Sequence, residues 1–305
     1  MSERSRGILF VLIAATIWSI GGLGIKVIQT DAMAISGYRS FFAIPVLLIW
    51  LIGKASNKVP AFGASLQRPW VWAAALSYAL TLTCFVVATK LTTAANTILL
   101  QSMAPIYVAL LSWPLLKERI RGLDWLAIAG CLLGMMFFFR DQLSPAGFTG
   151  NIVAIIAGVG FAGITLFLRL DQLKMNQQHG PGHSAHVSAV VSVALGNILA
   201  ALIGLPWMIS SPPPTVAGWL VVVGLGMVQI ALAYLFFTAG VARLTAIEST
   251  LLALVEPILN PIWVALGTGE TPSRSALIGG TMIVASVTIR GILQSLSPKL
   301  KPAQS

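Results

Sequence analysis

The chain has 305 residues, 57% of them hydrophobic and only 9% charged, whereas a water-soluble globule carries about a quarter of its residues as charged side chains. So few charges exclude a soluble core covered by polar surface. The formal net charge of +10 does not indicate a nucleic-acid binder, because that requires basic residues gathered on one exposed face, and here they are scattered through short segments.

In chain order, ten apolar runs can be marked at about 7–28, 32–52, 70–90, 94–116, 122–139, 148–168, 186–206, 215–242, 246–268 and 275–293. A bilayer-crossing helix takes roughly 20 apolar residues and satisfies its own backbone hydrogen bonds in lipid. The N-terminal Ser2-Glu3-Arg4-Ser5-Arg6 has the outline of a secretory signal. The run from Gly7 to Ile25 is too long for a signal core, however, and reads as a retained first span. The breaks carry turn residues, as at Gly53-Lys54, Ser144-Pro145, Gly180-Pro181-Gly182 and Ser210-Ser211-Pro212-Pro213-Pro214. Short connections between the fourth and fifth runs, and between the eighth and ninth, predict antiparallel neighbours. Cys84 and Cys131 lie inside apolar runs without metal-ligand spacing and read as small buried hydrophobes. His179, His183 and His186 flank a Gly-Pro-Gly turn, which argues against one rigid metal site and for a solvated loop. Neither a metal nor a cofactor is implied.

With the N-terminus inside, fourteen basic residues fall on cytoplasmic segments: Arg4, Arg6, Lys54, Lys58, Arg68, Lys117, Arg119, Arg121, Arg169, Lys174, Arg243, Arg290, Lys299 and Lys301. Four fall outside, Lys26, Lys90, Arg140 and Arg274, and Arg39 lies within the second run. That asymmetry places both termini in the cytoplasm of a multi-pass protein of the cell (inner) membrane. Trp207 and Trp219 then belong to the outer interface, and Trp50, Trp70, Trp72 and Trp125 to the inner one.

An internal repeat runs through the chain. Thr93-Ala94, Pro105 and Glu118 of the fourth run correspond to Thr245-Ala246, Pro257 and Glu270 of the ninth at a constant offset of 152. The first and sixth runs correspond more weakly at an offset of 143: Gly7 with Gly150, Ala14 with Ala157, Trp18 with Phe161, and Lys26 with Arg169. A unit of five helices has an odd number of crossings, so its second copy must enter the membrane inverted. The expected fold is therefore all-α, ten transmembrane helices as a 5+5 inverted-topology repeat around a central cavity, with residues 1–143 as the first unit and 144–305 as the second. Inverted repeats of this kind place a carrier's site near the midplane.

This pattern of small residues, proline and terminal glutamate, with Arg39 and the glycine-rich Gly279-Gly280 in support, resembles the drug/metabolite transporter superfamily, in particular its ten-helix EamA-type exporters. The resemblance covers nearly the whole chain. It implies secondary transport, and amino-acid exporters, including aromatic amino-acid exporters, are the nearest in length and layout.

The candidate site residues come from the same runs. Thr93, Asn96, Thr97 and Gln101 share one helix face, as do Thr245, Glu248, Ser249, Glu256 and Asn260. Such stripes line a cavity or bond neighbouring helices. Glu256 is open to two roles: binding a substrate ammonium or a coupled proton, or capping backbone freed by Pro257. Pro105 and Pro257 predict kinks that would act as hinges. The aromatic candidates are Trp18, Tyr78, Phe161 and Tyr234, with Trp18 and Phe161 favoured as repeat partners; Tyr107 also falls mid-span. Ser19, Gly21, Gly22, Gly158, Gly160 and Gly163 allow close helix approach or open space beside them. Arg39 could bind a substrate carboxylate, but is expected rather to snorkel or to pair with a helix end, and Glu118 and Glu270 are expected to be structural. The substrate-binding set is thus Trp18, Tyr78, Asn96, Gln101, Phe161, Tyr234, Glu256 and Asn260.

A membrane enzyme would need a catalytic constellation. The chain has no His-Glu-x-x-His, Gly-x-Ser-x-Gly or phosphate-binding Gly-x-x-x-x-Gly-Lys-Ser/Thr. The expectation is an exporter of small amphipathic metabolites, with apolar or aromatic amino acids first and cationic drugs second, and a channel as the alternative of a different class. Its partners are a small-molecule substrate and the lipid bilayer, with no nucleic acid and a monomeric unit.

Overall fold

The computed structural model describes residues 1–55, 59–92, 94–118, 120–140, 147–179, 185–259 and 274–296. Of the residues singled out in the sequence, Lys58, Thr93, Arg119, His183, Asn260, Glu270, Lys299 and Lys301 lie outside that set. The described residues form helices and no strands. They are α1 (Glu3–Trp18), α2 (Gly21–Val27), α3 (Ala32–Ala55), α4 (Val59–Leu66), α5 (Pro69–Leu91), α6 (Ala94–Gln101), α7 (Ala104–Leu116), α8 (Gly122–Phe139), α9 (Phe148–His179), α10 (Ala185–Ser210), α11 (Val216–Gly224), a π-helical stretch (Leu225–Leu232), α12 (Ala233–Val241), α13 (Ala246–Ala253) and α14 (Arg274–Leu296).

Among these, seven stretches are long and apolar enough to cross a membrane: Glu3–Ile25, Ala32–Gly53, Pro69–Leu91, Asn96–Leu116, Phe148–Gln178, His186–Ser210 and Val216–Val241. Gly122–Phe137 and Leu277–Leu293 are apolar but shorter. The exterior is as oily as the interior: Val216 and Leu220 are 83% and 74% exposed, while Arg39 and Tyr78 are among the largest fully buried side chains. Apolar surface on this scale is a membrane-facing surface.

Several spans are not continuous helices. The two prolines explain two of the breaks. Proline lacks the N–H that the carbonyl four residues earlier needs; for Pro105 that carbonyl belongs to Gln101, and for Pro257 to Ala253. Helix α6 ends at Gln101 and α7 restarts at Ala104, and α13 ends at Ala253 with helix again over residues 255–259. The predicted kinks are thus short interruptions of the helix, at residues 102–103 ahead of Pro105 and at Leu254 ahead of Pro257. A third break follows Trp18, between α1 and α2, and the fourth irregularity is the π-helical stretch inside the Val216–Val241 span.

Two close approaches repeat each other. A Cβ on Gly7 of α1 would lie 2.8 Å from Arg243 Cβ and 3.0 Å from Leu244 Cγ, whereas one on Gly150 of α9 would lie 2.9 Å from the Leu91 carbonyl carbon and 2.8 Å from Thr92 Cβ. The paired glycines thus pack on segments that are themselves 152 residues apart. Cys131 is buried and Cys84 half-buried, both as free thiols.

Ion pairs collect at the end of the bundle that holds the N-terminus. Glu3 meets Arg243 at 2.9 Å, Arg4 meets Glu248 at 2.9 Å, Arg68 meets Asp171 at 3.1 Å, Glu118 meets Arg169 at 2.8 Å, and Asp124 meets Arg290 at 2.6 Å. Each joins a residue before 125 to one after 168, so the pairs clamp distant parts of the chain together. Arg290 also reaches Glu248 at 3.7 Å, and Gln172 donates to the Ala242 carbonyl, which ties α9 to the turn after α12. Helix α10 carries His186, which belongs to no solvated loop: its ring packs 4.8 Å from Trp50 and lies within hydrogen-bonding distance of the Leu235 carbonyl.

Arg290 and Asp124 are buried, with side-chain exposures of 6% and 8%, so removing one strands the other. Arg290→Met is expected to destabilise the protein by about 3–5 kcal/mol, and adding Asp124→Leu to recover most of that loss. Thermal unfolding in detergent checks both; a single variant as stable as wild type would show that water already solvates the pair.

Candidate functional site

Trp18, the last residue of α1, faces three aromatic rings. Its centroid lies 4.8 Å from Tyr234, 4.9 Å from Phe237 and 5.9 Å from Phe161, the last in an edge-on arrangement at 81°. Tyr78 stands behind Tyr234 at 4.5 Å, and its hydroxyl accepts from Asn197 Nδ2 at 3.0 Å. Of the four aromatic candidates, Trp18, Phe161 and Tyr234 therefore form one wall, and the repeat partners Trp18 and Phe161 touch each other.

Beside this wall is a small, partly open cavity lined by Trp18, Arg39, Thr81, Leu82, Phe85, Gln101, Phe161, Gln229, Ile230, Tyr234 and Glu256. An adjoining small space shares Phe85, Gln101, Phe161 and Glu256 and adds Pro105 and Pro257 at the two helix breaks. Both breaks thus open onto one region, where α9 closes over the first of them: a Cβ on Gly158 would lie 3.0 Å from the Gln101 carbonyl oxygen. Gly160 and Gly163 press equally closely on Thr81 and Ser77 of α5, so all three glycines serve close approach rather than open space.

The polar stripes divide. Gln101 and Glu256 line the cavity. Asn96 is not among the residues lining either space; its Nδ2 donates to Asn151 Oδ1 at 3.0 Å and to Thr92 Oγ1 at 3.2 Å, bonding α6 to α9. Glu248 closes a capping box with Thr245 and joins the ion pairs at the N-terminal end, while Ser249 bonds back to the Thr245 carbonyl. These distal members hold helices together, because a polar group away from water must find a partner in protein. Glu118, paired with Arg169, has the expected structural place. Tyr78 is 1% exposed and lies outside the cavity lining.

Arg39 is the main correction. Rather than reaching a helix end, it is 2% exposed and lines the cavity. Its Nη2 donates to Gln229 Oε1 at 2.8 Å, and Gln229 Nε2 donates at 3.3 Å to the Trp18 carbonyl, at the break between α1 and α2. Gln229 sits on the π-helical stretch, a distortion that recurs at functional sites. A Cβ on Gly226 of that stretch would lie 2.6 Å from the Arg39 carbonyl oxygen, and one on Gly21 would lie 2.5 Å from Gln229 Nε2. The two glycines let the segments carrying Trp18, Arg39 and Gln229 converge.

The sequence model of the EamA-like transporter family matches residues 5–140 and again 148–291. The chain belongs to this family. It is thus a multi-pass membrane transporter of small molecules, not an enzyme. An uncharacterized transporter of Bacillus subtilis, YwfM, is 27% identical over 287 residues, covering 92% of each chain. The pseudopaline exporter CntI of Pseudomonas aeruginosa is 24% identical over 286 residues, covering 92% of this chain and 94% of its own. A protein crystal structure aligns with a TM-score of 0.76 at 20% identity, covering 95% of this chain and 98% of that one, which shows the shared fold.

Within this EamA-type transporter, Gln229 and Thr81 are cavity residues that sequence reasoning did not pick out. A single glutamine in the eighth run was the available signal, and nothing in its spacing tied it to Arg39. Gly226→Ala is expected to cost about 1–3 kcal/mol by forcing the π-helical stretch off α3. Gly224→Ala, on the same span with nothing within 4 Å of its Cβ, should be neutral or slightly stabilising. Melting temperatures of the two variants in detergent make the comparison; equal values would mean that α3 yields without cost.

Proposed function

We propose that this transporter is a secondary carrier exporting small amphipathic metabolites, with amino acids of apolar or aromatic side chain first among them, by alternating access. The observation that carries the reading is the cavity at the two helix breaks, with Trp18, Phe161 and Tyr234 as an apolar wall and Arg39, Gln101 and Glu256 as placed polar groups. Ligand sites have this composition, mostly apolar with a few polar groups that fix orientation. Helices interrupted at the site are a carrier feature. CntI, a relative of similar length, is by its name an exporter.

Ten spans in a 5+5 inverted repeat, residues 1–143 and 144–305, accord with two family matches and with the paired packing of Gly7 and Gly150. In this arrangement Pro105 and Pro257 are the hinges, and Asn96, Asn260 and Tyr78 support or complete the site. Both termini are cytoplasmic, in the cell (inner) membrane. The ion pairs then lie on the cytoplasmic side and hold it closed, so opening inward requires their exchange for water. The unit that does this is a monomer. A channel would also need a polar path, but the convergence of helix breaks and aromatic rings on one site favours a carrier.

Topology is tested by single cysteines at Ser2 and Pro213 in a cysteine-free background: an impermeant maleimide should label them from opposite sides. Same-side labelling removes the inverted repeat. Function is tested by counterflow in proteoliposomes with labelled phenylalanine, threonine and a quaternary ammonium. Wild type should exchange phenylalanine without single-channel currents. Trp18→Ala should raise its half-saturating concentration about tenfold through loss of aromatic contact. Exchange of the ammonium alone would replace the amino-acid reading with that of a cationic-drug exporter, to which Glu256 beside aromatic rings is also suited.

A further inference from the structure

We infer that Arg39 is an anion subsite, and that the transported molecule presents a carboxylate which takes the guanidinium over from Gln229. The inference deepens the carrier reading above and rests on it.

The argument begins with charge. A guanidinium remains protonated in proteins, and burying it without an opposite charge is strongly unfavourable. The chain has 9 acidic residues. Glu3, Glu118, Asp124, Asp171 and Glu248 are paired with other arginines. Asp31 accepts from the Met33 N–H at the start of its own helix. Asp141 and Glu270 are outside the described residues, which leaves Glu256. Among the described residues, no carboxylate oxygen comes within 4.0 Å of Arg39.

What Arg39 has instead is a neutral amide. Gln229 accepts one of its hydrogen bonds, and Arg39 Nε, buried, has no partner. This is an incomplete shell for a planar fork of donors that matches a carboxylate bidentately. Because Arg39 lines the cavity, the missing anion can arrive as ligand. Gln229 is suited to stand in for it, as its oxygen supplies the geometry of a carboxylate without the charge. Trp18 carries the amide from the other side through its carbonyl.

The rest of the cavity has the opposite requirement. Glu256 lines both spaces, and Gln101 Oε1 is a buried acceptor with no donor. Acceptors there and donors at Arg39 make the cavity bipolar, with the Trp18, Phe161 and Tyr234 wall alongside. The ligand class is a zwitterion: carboxylate on Arg39, ammonium toward Glu256 and Gln101, apolar group on the rings. A bare cation gains nothing from Arg39 and is repelled by it.

The test uses purified full-length protein in detergent, reading the shift in melting temperature produced by phenylalanine, 3-phenylpropionate and phenethylamine. The last two lack the ammonium and the carboxylate respectively. Phenylalanine and 3-phenylpropionate should stabilise wild type, and phenethylamine at the same concentration should not. Arg39→Gln should weaken the carboxylate response about 30-fold or more in half-saturating concentration. Gln229→Glu guards against an Arg39 variant that fails to fold. By supplying an internal carboxylate it should raise the melting temperature of the free protein and abolish the response to both acids. If Gln229→Glu is stabilised by phenylalanine as wild type is, or if phenethylamine equals phenylalanine, the anion subsite is overturned. No response to either acid overturns it as well. The carrier reading fails separately: acids that stabilise wild type through Arg39, with no phenylalanine counterflow in proteoliposomes, would leave an anion site in a protein that is not an amino-acid carrier.

Discussion

A helix that stops inside a membrane exposes backbone groups that lipid cannot satisfy, so it can stop only where protein or a cavity receives them. Among the described residues helices stop after Trp18, after Gln101 and after Ala253, while along Leu225–Leu232 the helix continues with π-helical bonding. Three polar side chains of the cavity sit at or next to them, and Arg39 and Thr81 reach it from the continuous helices α3 and α5. Gln101 ends one half-helix, Glu256 follows another break by three residues, and Gln229 rides the π-helical stretch and bonds the Trp18 carbonyl left at the first break. The cavity follows from where the helices are interrupted, and its chemistry from the residues at the interruptions together with Arg39 of α3.

Other polar groups are bonded within the protein: Asn96 with Asn151, and Glu248 with Arg4 and Arg290. Arg39 is different, because its shell is a single neutral amide. The ion pairs at the N-terminal end clamp distant parts of the chain there, while at the other end hydrogen bonds to backbone join segments, as Tyr38 to the Met208 carbonyl and the Lys90 ammonium to the Ile28 carbonyl.

Much of the fold was legible in the sequence because membrane burial writes itself as composition. A long apolar run has few alternatives to a helix, and Pro105 and Pro257 stand just beyond two of the breaks, whereas Pro45, Pro114 and Pro206 lie inside unbroken helices. The offset of 152 between them pointed to matched sites, and both prolines line one space. Trp18 and Phe161, paired by the weaker offset of 143, meet ring to ring.

Sequence alone thus determined the membrane class, the helical runs, the transporter family and the aromatic half of the cavity, since each depends on local composition or a repeat along the chain. Tertiary structure decided which polar residues meet. Periodicity put Asn96 and Gln101 on one face, yet only Gln101 reaches the cavity, because a neighbouring helix presents Asn151 to the other. Arg39 and Gln229 are 190 residues apart, and no helical spacing connects them. Their contact exists because Gly226 admits the π-helical stretch against α3, a close approach fixed by packing in three dimensions and invisible to any pattern along the chain.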